Sequence, residues 1–183
     1  MTLRQRISTL SQLGQRLTET GSVVLADIIQ GAYLKNQWFT IENIKNSLNA
    51  ICQEYLDEEK LTNWVESYDI NDTPSGKTVG IVMAGNLPLV GFHDLICTYI
   101  SGHKTMYKLS SKDDVLLPAI VDIMCDIEPL CRDFFIQVER LKGYDAVIAT
   151  GGDTAAVHFE YYFRNYPHII RKNRNSVAVL SGA

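Results

Sequence analysis

One stretch of the sequence, residues 78–100 (TVGIVMAGNLPLVGFHDLICTYI), decides the fold that the chain is expected to adopt. It begins with the apolar run Thr78–Ala84, which is typical of a buried β-strand. A glycine, an asparagine and a proline interrupt the run, and Leu89–Ser101 then continues with apolar residues at helical spacing. A buried strand that passes through a polar turn into a helix is the repeating unit of a parallel α/β sheet.

The rest of the C-terminal half continues this alternation of strand and helix. Further strands are predicted over Lys104–Leu109, Phe134–Arg140, Asp145–Thr150 and Ser176–Leu180. Further helices are predicted from about Asp113 to Asp126 and over Ala155–Arg164. Asp113 and Asp114 are the carboxylates expected at a helix N-terminus, Asp153 is a candidate N-cap, and Pro88 suits the first turn of its helix. The pattern predicts an α/β domain with a mostly parallel sheet.

The first 74 residues are predicted to be helical. An apolar stripe from Leu3 to Leu17, the stretch Val23–Tyr33, a helix capped by Thr40 and a short helix around Trp64 account for this segment. The turn-forming cluster NDTPSG at 71–76 marks the boundary. We therefore divide the chain into a helical N-terminal segment, residues 1–74, and an α/β domain, residues 75–183.

Composition excludes several classes of protein. The chain has 183 residues, and 17 basic and 21 acidic side chains give a net charge of −4, which argues against a nucleic-acid surface. No apolar run approaches the ~20 residues that span a membrane, and no leader follows the first residues, so a cytoplasmic location is expected. The four cysteines and four histidines lack metal-ligand spacing, so no metal site is expected and the cysteines are interpreted as buried, reduced side chains.

Ligands of open α/β sheets bind just beyond the carboxyl ends of the strands, and the residue patterns there are informative. Three strand ends carry such patterns. The first is Ala84-Gly85-Asn86-Leu87-Pro88, where the glycine is expected to let a ligand approach the backbone and Asn86 offers a side-chain amide. The alternative is an ordinary connection in which the asparagine caps the helix.

Two more strand ends carry polar residues. The second strand end carries two lysines and two hydroxyls that could bind an anion: Lys108, Ser110, Ser111 and Lys112. The alternative is a solvated turn that leads into the Asp113 cap. The third stretch, residues 149–154 (ATGGDT), places two glycines before a helix, an arrangement that aims N–H groups at a phosphate. It lacks the full Gly-x-Gly-x-x-Gly spacing, and a simple glycine turn is the alternative.

These three stretches, in this order, resemble the Rossmann-like cofactor domain of the aldehyde dehydrogenase superfamily. Asn86-Leu87-Pro88 corresponds to the family's Asn-Phe-Pro, Lys108-Leu109-Ser110-Ser111 to its Lys-Pro-Ser/Ala-Glu, and residues 149–152 to its Phe-Thr-Gly-Ser. Residues 80–118 most resemble the bacterial acyl-CoA reductases, the branch that includes the fatty-acid reductase of bioluminescence. The resemblance covers roughly residues 75–183 and implies that they form a Rossmann-like nucleotide-binding domain.

The resemblance implies an NADPH-dependent reduction of an acyl-CoA, or another acyl thioester, to an aldehyde. Asn86 would then donate its amide to the thioester oxygen, and Lys108 would bind the adenosine ribose region. The other cofactor-binding residues implied are Met83, Ala84, Gly85, Ser110, Ser111, Lys112, Gly151, Gly152 and Thr154. Some relatives carry a glutamate at the position of Ser111, and its replacement by a serine followed by a lysine favours the 2′-phosphate of NADP. Gly152 replaces a serine and offers only its backbone N–H.

The family's catalytic cysteine lies beyond Ala183, in a separate domain, and none of the four cysteines of this chain occupies its place. We therefore expect the N-terminal portion of a longer enzyme, which forms a homo-oligomer and reduces no thioester by itself. Two other functions stay open. One is a non-catalytic nucleotide-binding module, and the other is an acyl-phosphate reductase of the glutamyl-phosphate type.

Overall fold

A computed structural model describes residues 1–19, 23–70, 72, 76–172 and 178–179. Its centre is a five-stranded sheet in the order β3-β2-β1-β4-β5. The strands are β1 (Thr78–Val82), β2 (Lys104–Lys108), β3 (Phe135–Gln137), β4 (Ala146–Thr150) and β5 (His168–Arg171). Each pairing between neighbours is parallel, so the carboxyl ends of the strands lie along one edge of the sheet. The α/β fold with a parallel sheet, expected from the sequence, is confirmed.

Seven helices accompany the sheet in the described part of the chain. They are α1 (Leu3–Thr18), α2 (Val23–Lys35), α3 (Ile41–Tyr55), α4 (Glu58–Glu66), α5 (Phe92–Ile100), α6 (Leu116–Ile127) and α7 (Asp153–Phe163). The four helices predicted before residue 74 are all present. Thr40 caps α3 as predicted, because its hydroxyl accepts a hydrogen bond from the Asn43 N–H. None of the described helices is both long and apolar enough to cross a membrane.

The main core lies between one face of the sheet and the helices α1, α5 and α6. Val79 and Ile81 of β1, and Met83 immediately after it, alternate towards this core. The other face of β1 carries Gly80, where a Cβ would lie 3.0 Å from a methyl group of Leu141. A smaller cluster around Val147, Ala149 and Phe163 fills the space between that second face and α7.

The helical segment is packed into the same core as the sheet. Leu10 and Leu13 of α1 are fully buried in it. Arg6 is also fully buried, and its Nε donates to the carbonyl oxygen of Ile100 over 3.1 Å. Residues on both sides of the predicted 74/75 boundary therefore share one core, while the boundary itself stays a prediction. The cluster at 71–76 lies outside the described residues except for Asp72 and Gly76.

Several predicted boundaries are wrong. The helix expected from Leu89 begins only at Phe92, and Pro88 lies in the turn before it. The reason is that Leu89 has a φ of 61°, a left-handed conformation that cannot continue a right-handed helix. The third strand is shorter than predicted, because β3 is an outer strand that pairs with β2 through only three residues, Phe135, Ile136 and Gln137.

One strand was missed. The short, largely exposed stretch His168–Arg171 forms β5 beside β4. The strand predicted at Ser176–Leu180 lies outside the described residues except for Ala178 and Val179.

Two helical glycines provide a matched test of the packing. A Cβ at Gly14 in α1 would lie 2.9 Å from the Leu56 Cβ and 3.2 Å from the Leu56 carbonyl oxygen, whereas at Gly31 in α2 the nearest atom is a Val115 methyl at 3.8 Å. We expect Gly14→Ala to lower the free energy of unfolding by about 1–3 kcal/mol through overpacking. Gly31→Ala should raise it by up to about 1 kcal/mol through helix propensity.

Urea denaturation of both variants measures the two effects. Equal stabilisation by both substitutions would contradict the close approach of α1 to the end of α3.

Candidate functional site

The polar stretches selected from the sequence lie side by side at the carboxyl edge of the sheet. Loop 1 (residues 83–91) follows β1, loop 2 (residues 109–115) follows β2, and loop 3 (residues 151–152) follows β4. Because β1 pairs with both β2 and β4, loop 1 lies between the other two. The edge therefore combines all three stretches into one candidate site, as open parallel sheets commonly do.

Loops 1 and 2 are in direct contact. The Met83 N–H donates to the Lys108 carbonyl oxygen over 3.1 Å. A Cβ at Gly85 would collide with the Ser110 hydroxyl and lie 3.2 Å from the Lys112 Cβ. The absence of a side chain at this buried glycine allows the two loops to pack together. The expected approach of a ligand to the Gly85 backbone stays a prediction.

A buried carboxylate fixes the far end of loop 1. Asp113 Oδ2 accepts a hydrogen bond from the Leu89 N–H over 2.7 Å, at the residue with the left-handed backbone. Asp113 was expected to lie at the N-terminus of α6, but α6 begins at Leu116 with no side-chain cap. Burial raises the pKa of Asp113 to about 6, against the opposing effect of the bond from Leu89.

Helix α2 and the residue after it support loop 2 from the outside. The Asn36 side-chain amide donates to the Lys112 carbonyl oxygen over 3.0 Å. Lys35 Nζ lies 3.2 Å from Asp114 Oδ2. The N-terminal helical segment therefore helps to hold the loop that carries Ser111 and Lys112.

The groups that a ligand can reach on loops 1 and 2 are polar. Asn86, Ser111 and Lys112 are exposed, while Lys108 and Ser110 are half-buried. Among the described residues, none makes a hydrogen bond with the Asn86 side-chain amide. This amide and the two lysines are consequently available to a ligand that carries carbonyl, hydroxyl and phosphate oxygens.

Loop 3 leads directly into α7. Gly152 is the N-cap of α7 and provides no side-chain hydrogen bond, so Asp153, a candidate N-cap in the sequence, is instead the first helical residue. Thr154 follows it and is exposed. A Cβ at Gly151 would lie 3.0 Å from both the Ala155 Cβ and the Phe159 ring. The N–H groups of this first turn are therefore not capped by a side chain and can bind an anion. The negative charge of the Asp153 carboxylate weakens the binding of an anion there.

An ion pair beside the site was not predicted. Asp94, buried in the first turn of α5, lies with its Oδ1 2.8 Å from Arg171 Nη2 at the end of β5. The only sequence feature that could have indicated this ion pair is an acidic residue inside a mostly apolar helix.

In the described ranges, no group of three or more His, Cys, Asp or Glu side chains is arranged to hold a metal ion.

Comparison with known proteins gives one curated relative and a set of structural neighbours. The chain is 27% identical over 185 residues to long-chain acyl-protein thioester reductase 2 of Photobacterium leiognathi, covering 85% of this chain and 38% of the relative. Aldehyde dehydrogenase 21 from Physcomitrella patens matches 96% of the chain with a TM-score of 0.70 at 16% identity, over 41% of its own length. Betaine aldehyde dehydrogenase from Staphylococcus aureus, in complex with NAD+, matches 93% with a TM-score of 0.67 at 12% identity, over 38% of its length.

No family model matches the chain. The similarity to the acyl-protein thioester reductase confirms the resemblance to acyl reductases. The aldehyde dehydrogenase type of fold, expected from the sequence, is also confirmed. The chain spans about two fifths of the length of these proteins.

The buried Asp113 carboxyl gives the protein a defined pH dependence. Its pKa of about 6 in the folded protein lies above the ordinary value of 3.8 in the unfolded chain. Between these values the folded state holds the proton and the unfolded state does not, so this group's stabilisation is present at low pH and is lost as the pH rises through about 6. We expect wild type to lose on the order of 2–3 kcal/mol relative to Asp113→Asn between pH 4 and 7.5.

Urea denaturation of both proteins across that pH range measures the difference. Asp113→Ala is the companion variant, because it removes the acceptor for the Leu89 N–H, whereas asparagine retains one. At pH 7.5 the alanine variant should be less stable than the asparagine variant by about 1–3 kcal/mol. A difference between wild type and Asp113→Asn that does not change with pH would contradict the buried ionisable group.

Proposed function

We propose that this chain provides the cofactor domain of an NADPH-dependent reductase that converts an acyl thioester to an aldehyde. The observation that carries the proposal is the meeting of loops 1, 2 and 3 at the carboxyl ends of three adjacent parallel strands. The curated relative is named an acyl-protein thioester reductase, which favours a thioester over an acyl phosphate as the substrate. Both an acyl-CoA and an acyl-protein are candidate donors.

The residues at this edge have the chemistry that a nicotinamide dinucleotide needs. The uncapped first turn of α7, with Gly151, Gly152 and Thr154, offers N–H donors to a pyrophosphate. Lys108 and Ser110 lie on the neighbouring strand end, where they can reach ribose hydroxyls. Met83, Ala84 and Gly85 form the backbone beside them. NADPH, when bound, supplies the hydride.

Asn86 is proposed to act on the substrate. Its exposed side-chain amide can donate a hydrogen bond to the thioester carbonyl oxygen, which gains negative charge as the carbonyl carbon is attacked. A donor that is held in place before the reaction stabilises this charge better than mobile water does. The contact between Gly85 and loop 2, together with the bond from Leu89 to Asp113, holds loop 1 on both sides of Asn86.

Ser111 and Lys112 are proposed to select NADPH over NADH. Both are exposed on loop 2, and a lysine beside a hydroxyl can bind the 2′-phosphate. The neighbour from Staphylococcus aureus was crystallised with NAD+, so the shared fold does not by itself favour NADPH.

The enzyme to which this chain contributes is also proposed to be a cytoplasmic homo-oligomer.

Charge reversal at Lys112 tests the cofactor assignment. In Lys112→Glu we expect the Kd for NADPH to rise about tenfold or more, because a carboxylate replaces the cation beside the 2′-phosphate, while the Kd for NADH changes less than about threefold. Isothermal titration of both cofactors measures the two constants.

The control is Lys142→Glu, which makes the same charge change at an exposed lysine before β4, away from the carboxyl edge. It should leave both constants within about twofold of wild type. Tighter binding of NADH than of NADPH by wild type, or equal losses in the two variants, would contradict the assignment.

The nucleophile whose acyl adduct receives the hydride is proposed to lie outside these 183 residues. The chain should therefore bind NADPH without oxidising it when an acyl-CoA is added. Absorbance at the nicotinamide band measures this directly. Steady turnover of NADPH that depends on the acyl-CoA would show that this chain already holds a nucleophile from which an acyl group is reduced.

A further inference from the structure

A second group of reactive side chains lies on α5, the helix that follows loop 1. Cys97 Sγ is 3.7 Å from Nε2 and 3.8 Å from Nδ1 of His93, one helical turn earlier. The ring of Tyr55 lies with its centroid 5.3 Å from that of His93, which limits the positions open to the imidazole. The pair is a thiol and an imidazole in contact, the usual combination in activated cysteines.

The surroundings of His93 favour its charged form. The buried Asp94 carboxylate and the Cys97 thiol both raise the pKa of His93, against the effect of burial. Asp94 Oδ1 is 3.7 Å from Nδ1, and the same oxygen is ion-paired with Arg171. A positive charge on His93 therefore lies against the sulfur that must become negative in a nucleophilic attack.

Cys97 also forms part of the wall of an open, mostly apolar groove of about 380 Å³. Its apolar lining includes Val79, Ile148, Pro167 and Ile169, at or near the amino ends of β1, β4 and β5. This is the opposite edge of the sheet from loops 1, 2 and 3. A chain attached to Cys97 can lie along this groove and remove its apolar surface from water.

We propose that Cys97 is an acylation site that takes an apolar acyl chain from an acyl thioester. In this step the Cys97 thiol gives its proton to the His93 imidazole, the Cys97 sulfur forms a bond to the carbonyl carbon, and the C–S bond of the donor breaks. The protonated His93 then passes this proton to the departing thiolate, so no oxidant or reductant is needed. The groove lies at the opposite edge of the sheet from the cofactor site, while His93 lies just after loop 1. The test of this site does not depend on NADPH binding.

The chain contains matched controls for the thiol. Cys52 in α3 is half-buried like Cys97, but it has no hydrogen-bond partner among the described residues and burial raises its pKa. Cys125 and Cys131 are buried. Limited alkylation with N-ethylmaleimide, followed by peptide mass mapping, should modify Cys97 at least about tenfold faster than Cys52.

His93→Gln removes the imidazole while retaining a polar side chain of similar size. It should slow the alkylation of Cys97 about tenfold, whereas His158→Gln, at an exposed histidine on α7, should leave the rate unchanged. Circular dichroism confirms that each variant is folded. Equal rates at Cys97 and Cys52, or an unchanged rate in His93→Gln, would overturn the activation of Cys97 by His93.

The acyl donor is tested with octanoyl-CoA and acetyl-CoA at equal concentrations. We expect octanoyl-CoA to add one acyl group at Cys97, several-fold faster than acetyl-CoA because only the longer chain extends along the groove and covers its apolar lining. Ile169→Gln, at a side chain that is 55% exposed, should reduce this preference without changing the rate with N-ethylmaleimide. Acylation elsewhere, no acylation, or equal rates with the two donors would overturn the acyl site.

Discussion

The parallel pairing of β1 with both of its neighbours is the constraint on which the rest of the structure depends. β1 pairs with β2 on one side and β4 on the other, in registers that place Val82 opposite Lys108 and Ala149. Both faces of the strand are covered, one by the main core and the other by Leu141 and Tyr144 against Gly80. Because β1 has no free face and no free edge, the position of loop 1 at its carboxyl end is fixed. Loops 2 and 3, which follow β2 and β4, lie on either side of it.

The helical segment is part of this arrangement rather than an appendage to it. Arg6 reaches the end of α5 through the Ile100 carbonyl, and Asn36 holds the Lys112 carbonyl of loop 2. The pair of Lys35 and Asp114 adds a second link, although both charges are partly exposed and contribute little stability by themselves. These contacts of the helical segment therefore limit how far loop 2 can move away from loop 1.

The sequence predicted the features that depend on long apolar patterns. The four N-terminal helices, β1, β2, β4 and the grouping of the polar strand ends all follow from such patterns. The strand β5 could not be found in this way, because it is an outer strand whose Ile169 is exposed. The position of Asp113 depends on a contact with Leu89, 24 residues away, which no local pattern encodes. The contact of Gly85 with loop 2 could not be predicted either, because Ser110 and Lys112 lie more than 20 residues further along the chain.

Loops 1, 2 and 3 are proposed to form one nicotinamide dinucleotide site. A backbone-amide NMR titration of the isotope-labelled chain with NADPH tests this proposal. We expect the shift changes to concentrate at residues 84–88, 108–112 and 151–154 and to saturate with a single Kd. Saturating changes centred on the apolar groove around Cys97, or no saturable change at the carboxyl edge, would contradict it.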